Sequence, residues 1–228
     1  ARSDRNTIKH FDHETQLRGT LALDVSPSMR WGSGDVAKID YAATLLAALA
    51  YVLTRQGDAV SLLTFDDAVR DRLPARSGPA HLDYLMRILA EPAVSSGTTG
   101  LHEALDELIE HAGRMGLVVI ASDLLDLDGA ALDPVARIQA RGHQTVVLHV
   151  MDPAELELPY EQPMHFEGLE GEPHVEVDPQ GIRRRYREAI DAFVEACQRR
   201  VVAAGARYLL ARTDAPPEHV LLQLLRAG

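Results

Sequence analysis

The sequence predicts an α/β domain: a doubly wound, mainly parallel sheet flanked by helices, with an inserted β-hairpin. Three observations carry that expectation. Four short runs, within 19–24, 59–65, 116–121 and 145–150, are almost wholly apolar, as strands covered on both faces are. Segments with apolar residues at helical spacing separate them. Strands that alternate with helices imply parallel neighbours joined by right-handed crossovers.

Composition narrows the function classes. A chain of 228 residues, 46% of them hydrophobic, buries a sizeable core. A net charge of −11 argues against nucleic acid as the main partner, because phosphate binding needs a basic surface. The longest apolar run, Ala42 to Leu53, is interrupted by Thr44 and rich in alanine. It reads as a core helix, shorter than the roughly twenty residues that span a membrane. The single cysteine, Cys197, excludes an internal disulfide and falls on the apolar face of a helix, as a packed thiol does. With no charged-apolar-small opening stretch, the expected compartment is reducing and cytoplasmic.

Taken in order, residues 1–7 are polar, and Ile8 to Phe11 could form a short edge strand. Residues 19–24 form a strand. The loop Trp31-Gly32-Ser33-Gly34 leads to a helix over Lys38 to Arg55, apolar nearly all round and closed by Gly57. Ala59 to Phe65 is a second strand, Val69 to Leu73 a short edge strand, and Pro74 to Pro79 a loop. Helices follow over His81 to Ala90 and Leu101 to Ala112. Gly116 to Ala121 is a third buried strand, ending in Ser122-Asp123. Asp133-Pro134 reads as N-cap and first residue of a helix closed by Gly142, and Thr145 to Val150 as a fourth buried strand. Residues 152–178, rich in Pro and Gly, read as the hairpin, with Gly168 and Gly171 near its turn. Asp178-Pro179 opens a long helix whose inward face carries Ile182, Tyr186, Ile190, Phe193, Cys197 and Val201. A strand over Tyr208 to Ala211 and a helix over Pro217 to Arg226 complete the chain.

The chemistry gathers at the strand ends. Doubly wound sheets bind ligands beyond the carboxyl ends of their strands, where Asp24 and Asp123 both fall. Period-two spacing places Asp24, Ser26 and Ser28 on one side of an extended segment. Three oxygens with one full charge among them suit a hard cation such as magnesium. The same residues would also serve a turn in which Asp and Ser satisfy backbone groups. The loop Ser95-Ser96-Gly97-Thr98-Thr99-Gly100 brings further hydroxyls to that edge.

Asp24-x-Ser26-x-Ser28, the later Thr99-x-Leu101 with Leu105, and the strand-end Asp123 resemble the metal-ion-dependent adhesion site of von Willebrand factor type A domains. More narrowly, the chain resembles the bacterial domain-of-unknown-function family fifty-eight. That likeness runs through Leu23 to Met29, the stretch 51–65 with Arg55-Gln56-Gly57-Asp58, Ala121 to Asp126, Met151 to Leu156, and Thr213-Asp214. It implies that Ser26 and Ser28 bind a cation directly, joined by Thr99, while Asp24 and Asp123 act through hydrogen bonds and bound water. It implies magnesium, with manganese or calcium as alternatives. Neutral hydroxyls leave such an ion under-neutralised, and a water on it can give way to a carboxylate of a partner protein. The expected function is magnesium-dependent protein–protein interaction rather than catalysis. The resemblance further implies an adaptor working with a MoxR-type AAA+ ATPase in assembly or remodelling of a complex. Residues 1–18 then represent the end of a preceding region, and 19–228 the domain.

The alternative is a metal-dependent, phosphatase-like hydrolase using Asp24 or Asp123. Haloacid-dehalogenase phosphatases place a second aspartate two residues after the nucleophile, and Ser26 stands there. Asp126-Leu127-Asp128-Gly129 resembles the start of a calcium loop but lacks the later glutamate, so a solvated turn is expected. The run Arg183-Arg184-Arg185-Tyr186-Arg187 reads as a solvated face. Trp31 could anchor a partner or pack against its own loop.

Overall fold

A computed structural model describes residues 18–92, 101–111, 115–125, 132–166 and 175–226. The expected strand at 8–11, the threonine loop with Thr99, the acidic turn at 126–129, and Gly168 and Gly171 lie outside them.

The elements follow in order β1 (Arg18–Asp24), α1 (Lys38–Arg55), β2 (Ala59–Phe65), β3 (Val69–Arg76), α2 (Pro79–Ala90), α3 (Leu101–His111), β4 (Leu117–Ser122), α4 (Asp133–Ala140), β5 (Gln144–Met151), α5 (Pro153–Glu157), β6 (Met164–Phe166), β7 (Val175–Val177), α6 (Pro179–Ala203), β8 (Arg207–Arg212) and α7 (Pro217–Leu225). The main sheet has the order β3-β2-β1-β4-β5-β8. All its pairs are parallel except β2 with β3. The chain moves from β1 outward to β2, then returns to place β4 on the other side of β1. The switch in strand order therefore lies between β1 and β4.

Strand periodicity sorts the core into two layers. Leu21 and Leu23 of β1, with Val146, Leu148 and Val150 of β5, face a cluster containing Leu45, Leu46 and Leu49 of α1. Ala22 of β1 and Val147 of β5 face a second cluster with Leu105 of α3, Ile138 of α4 and Val201 of α6. Helices on both faces explain why these strands read as apolar runs without alternation. Among the described residues, no helix is long and apolar enough to cross a membrane.

Several boundaries differ from expectation. β3 continues to Arg76, through Pro74. It lies at the sheet edge, where proline's missing donor is tolerated. Asp133 is the first residue of α4, not its cap. The hairpin is present, as β6 paired antiparallel with β7, but α5 precedes it. Only Cys197 and Val201 of the expected inward face of α6 are buried, and Ile182 is exposed. The arginine run is not wholly solvated. Arg183 donates to the carbonyls of Leu158 (3.1 Å) and Tyr160 (2.6 Å), and Arg187 to that of Glu157 (3.1 Å). Tyr186 donates to the Glu155 carbonyl at 2.6 Å, and the Gln180 amide to that of Glu161 at 3.0 Å. Carbonyls at a helix C-terminus attract such cations.

Gly116 enters β4 where a Cβ would stand 2.2 Å from the Arg18 carbonyl oxygen. The obstacle is backbone and cannot rotate away. Gly116→Ala is expected to cost about 2–3 kcal/mol, read as a lower urea midpoint; an unchanged midpoint would show that β1 and β4 separate without cost.

Candidate metal centre

β1 and β4 deliver their last residues side by side at the switch point. Asp24 is fully buried. Its Oδ1 accepts from the Ser26 amide at 2.9 Å and its Oδ2 from the Ser122 hydroxyl at 2.6 Å. Ser122 Oγ in turn accepts from the Leu124 amide at 3.0 Å. The two strand ends are thus tied through one carboxylate.

The serines meet differently from the period-two expectation. Val25 still pairs with β2, its amide donating to the Phe65 carbonyl at 2.7 Å. Ser26 is extended (φ −56°, ψ 159°), and a 3-10 turn then runs over Pro27–Arg30. Pro27 begins that turn, where no backbone donor is required. Met29 is fully buried and pins it to the core. The turn, rather than a continued strand, swings Ser28 back toward Ser26, so that their hydroxyl oxygens stand 3.1 Å apart in a shared hydrogen bond. Ser26 is fully buried and Ser28 nearly so.

Asp123 is also buried. Its Oδ1 accepts from the Leu125 amide at 3.3 Å. Leu124 between them has φ +55°, a left-handed backbone that costs a branched residue of order 1 kcal/mol. The buried Leu124 side chain packs into the second core cluster and holds the bend. Asp123 Oδ2 accepts from Lys38 Nζ at 2.9 Å, and the same ammonium reaches Glu155 Oε1 at 2.5 Å. Burial alone would push the Lys38 ammonium down; Asp123 and Glu155 hold it above the ordinary lysine value. Burial, with the charge of Asp123 added, pushes the Asp24 carboxyl up to about 7.

Two further buried groups lie at these strand ends. Asp66 follows β2, but Arg70 Nε bonds both its oxygens at 2.7 Å, so it is a structural ion pair. His149 of β5 pairs in register with Ser122. Its Nδ1 bonds the Tyr208 hydroxyl at 2.7 Å, and burial pushes it down to about 4, so it is neutral at physiological pH.

The structure therefore brings Asp24, Ser26, Ser28 and Asp123 to one place, while Thr99 lies outside the described residues. The donor set fits magnesium: two neighbouring oxygens at roughly 2.1 Å in an octahedral shell stand about 3 Å apart, which is the separation of the serine hydroxyls. A family model described as "Protein of unknown function DUF58" matches residues 1–196. This chain belongs to the DUF58 family. An uncharacterised protein of Mycobacterium tuberculosis and one of Mycobacterium bovis are each 29% identical over 218 residues, covering 94% of this chain and 68% of theirs. The fold of this DUF58 chain is similar to that of a conserved hypothetical protein, BatB, of Bacteroides thetaiotaomicron (TM-score 0.62). It is also similar to that of an aerotolerance-related membrane protein of Bacteroides fragilis (TM-score 0.67). Each is 16% identical and covers 92% of this chain and 98% of the other. The architecture they share is α/β, a mainly parallel six-stranded sheet flanked by helices.

Sequence reasoning named the serines and aspartates of this DUF58 site but missed Lys38 and Glu155. One signal was available. A lysine at the first position of a helix opposes the helix dipole, so its presence there implies acidic neighbours.

Proposed function

We propose that this domain is a magnesium-dependent protein-interaction module rather than an enzyme. In this reading it is an adaptor acting in the cytoplasm beside a MoxR-type AAA+ ATPase. The observation that carries the cation reading is the buried Ser26–Ser28 hydroxyl pair, 3.1 Å apart at the switch point of the sheet. A bound divalent cation would supply a Lewis-acidic position that a partner's carboxylate can occupy. Ser26 and Ser28 would hold it, Asp24 orients the Ser26 backbone, and Asp123 contributes charge from the neighbouring strand. The ATPase partnership rests on the family resemblance.

One observation favours hydrolysis instead: a carboxyl near 7 suits a general base. Against it, both Asp24 oxygens already accept hydrogen bonds inside the fold, and the residue is fully buried.

The test is calorimetric titration with MgCl2 and MnCl2, alongside capture of a purified MoxR-type ATPase with and without EDTA. Ser26→Ala/Ser28→Ala is expected to weaken cation binding at least about tenfold and to lose the chelator-sensitive part of the capture. Equal and measurable cation binding by wild type and the double variant would overturn the site. Capture unaffected by chelator would overturn the docking mode.

A further inference from the structure

The Lys38 side chain is 0% exposed, like those of the core. The residue opens α1, where the helix dipole opposes a cation. Burying an ammonium is unfavourable unless it is paired with good geometry. Two carboxylates from different crossovers supply that geometry. Asp123 follows β4, and Glu155 comes from α5 beyond β5. Glu155 is itself fixed, because its Oε2 accepts from the Asp152 amide at 2.9 Å in a capping box. The ammonium therefore sits between the acid of the candidate cation site and an acid outside it. Two carboxylates, Asp123 and Glu155, share this one buried positive charge.

Resting on the cation reading above, we propose that Lys38 is a positioning residue that sets the affinity of the site. Its ammonium holds Asp123 and offsets that residue's charge. The site then binds a divalent cation loosely and leaves its attraction for an incoming carboxylate unspent. Glu155 tunes the effect by drawing the ammonium partly away from Asp123.

This role predicts changes of opposite sign, which a merely structural ion pair does not. Titration with Mn2+ alone, followed calorimetrically, compares wild type with Lys38→Met, Glu155→Gln and Lys38→Met/Glu155→Gln. Circular dichroism confirms folding of each. Lys38→Met is expected to tighten Mn2+ binding at least about tenfold. Glu155→Gln, which leaves the ammonium wholly to Asp123, is expected to weaken it several-fold. If Lys38→Met does not fold, the double variant against Glu155→Gln differs only at position 38 and carries the test; the double variant should bind more tightly. Binding that appears only once Lys38 is removed also supports the proposal. Unchanged or weaker binding without Lys38, while Ser26→Ala/Ser28→Ala abolishes it, overturns the role of Lys38 and leaves the site standing. No Mn2+ binding by wild type or any Lys38 variant overturns both.

Discussion

Replacing Asp152 with alanine is expected to cost the fold about 3–5 kcal/mol, since several hydrogen bonds to one buried charge are lost together. Asp152 is 1% exposed. Its oxygens accept from the Ser33 amide (2.9 Å) and hydroxyl (2.6 Å), the Ala154 amide (2.8 Å) and the Thr213 hydroxyl (3.3 Å). One carboxylate thus fastens the loop before α1, the start of α5 and the residue after β8. Asp178→Ala provides the contrast. Asp178 is exposed and caps α6 through the Gln180 amide, at 3.1 Å, so its loss should cost about 1 kcal/mol. Urea denaturation of both variants checks the difference. Equal costs would mean that the Asp152 contacts to Ser33 and Thr213 contribute nothing.

Asp24→Asn is expected to stabilise the metal-free protein and to weaken Mn2+ binding. The Asp24 carboxyl rises to about 7 in the fold, through burial first and Asp123 second. A group whose folded pKa exceeds its unfolded value contributes stability that is present below about pH 4 and lost as pH rises through 7. The advantage of Asn over Asp should therefore be small at pH 4, grow through pH 7 and then level off, reaching about 2–4 kcal/mol. His149 acts in the opposite sense: held down to about 4 by burial, it makes the fold more stable as pH climbs toward the ordinary histidine value. Both proteins carry it, so it cancels in the difference. Urea denaturation in EDTA across pH 4–8 reads the result. A constant difference would sink the assignment of Asp24 as the strained group.

The strands were legible because burial on both faces writes itself into four apolar runs, and the hydroxyl pair because its spacing is local. What brings the hydroxyls together was not: Pro27–Arg30 forms a 3-10 turn, and nothing in Asp-x-Ser-x-Ser distinguishes that from an extended strand. The three Asp-Pro pairs are the clearest limit. Asp133 lies within the first turn of its helix, Asp178 caps one, and Asp152 joins three segments. The partners that set Asp152 apart lie 119 and 61 residues away. Lys38 escaped notice for the same reason, since its carboxylates are 85 and 117 residues distant. α5 was more readable than expected: Asp152-x-x-Glu155 is a capping-box signature, overlooked within a stretch rich in proline and glycine.

The side chains of Gln180, Arg183, Tyr186 and Arg187 grip backbone carbonyls between Glu155 and Glu161. They hold through main-chain oxygens, which every residue possesses, and so make no demand on the identity of the hairpin beyond. Glu155, which reaches Lys38, sits on the gripped side of that root. Mutational drift can therefore rewrite the hairpin between β6 and β7 while the charge balance at the strand ends is inherited unchanged. Variation outward and constancy inward are separated by a few side chains of one helix.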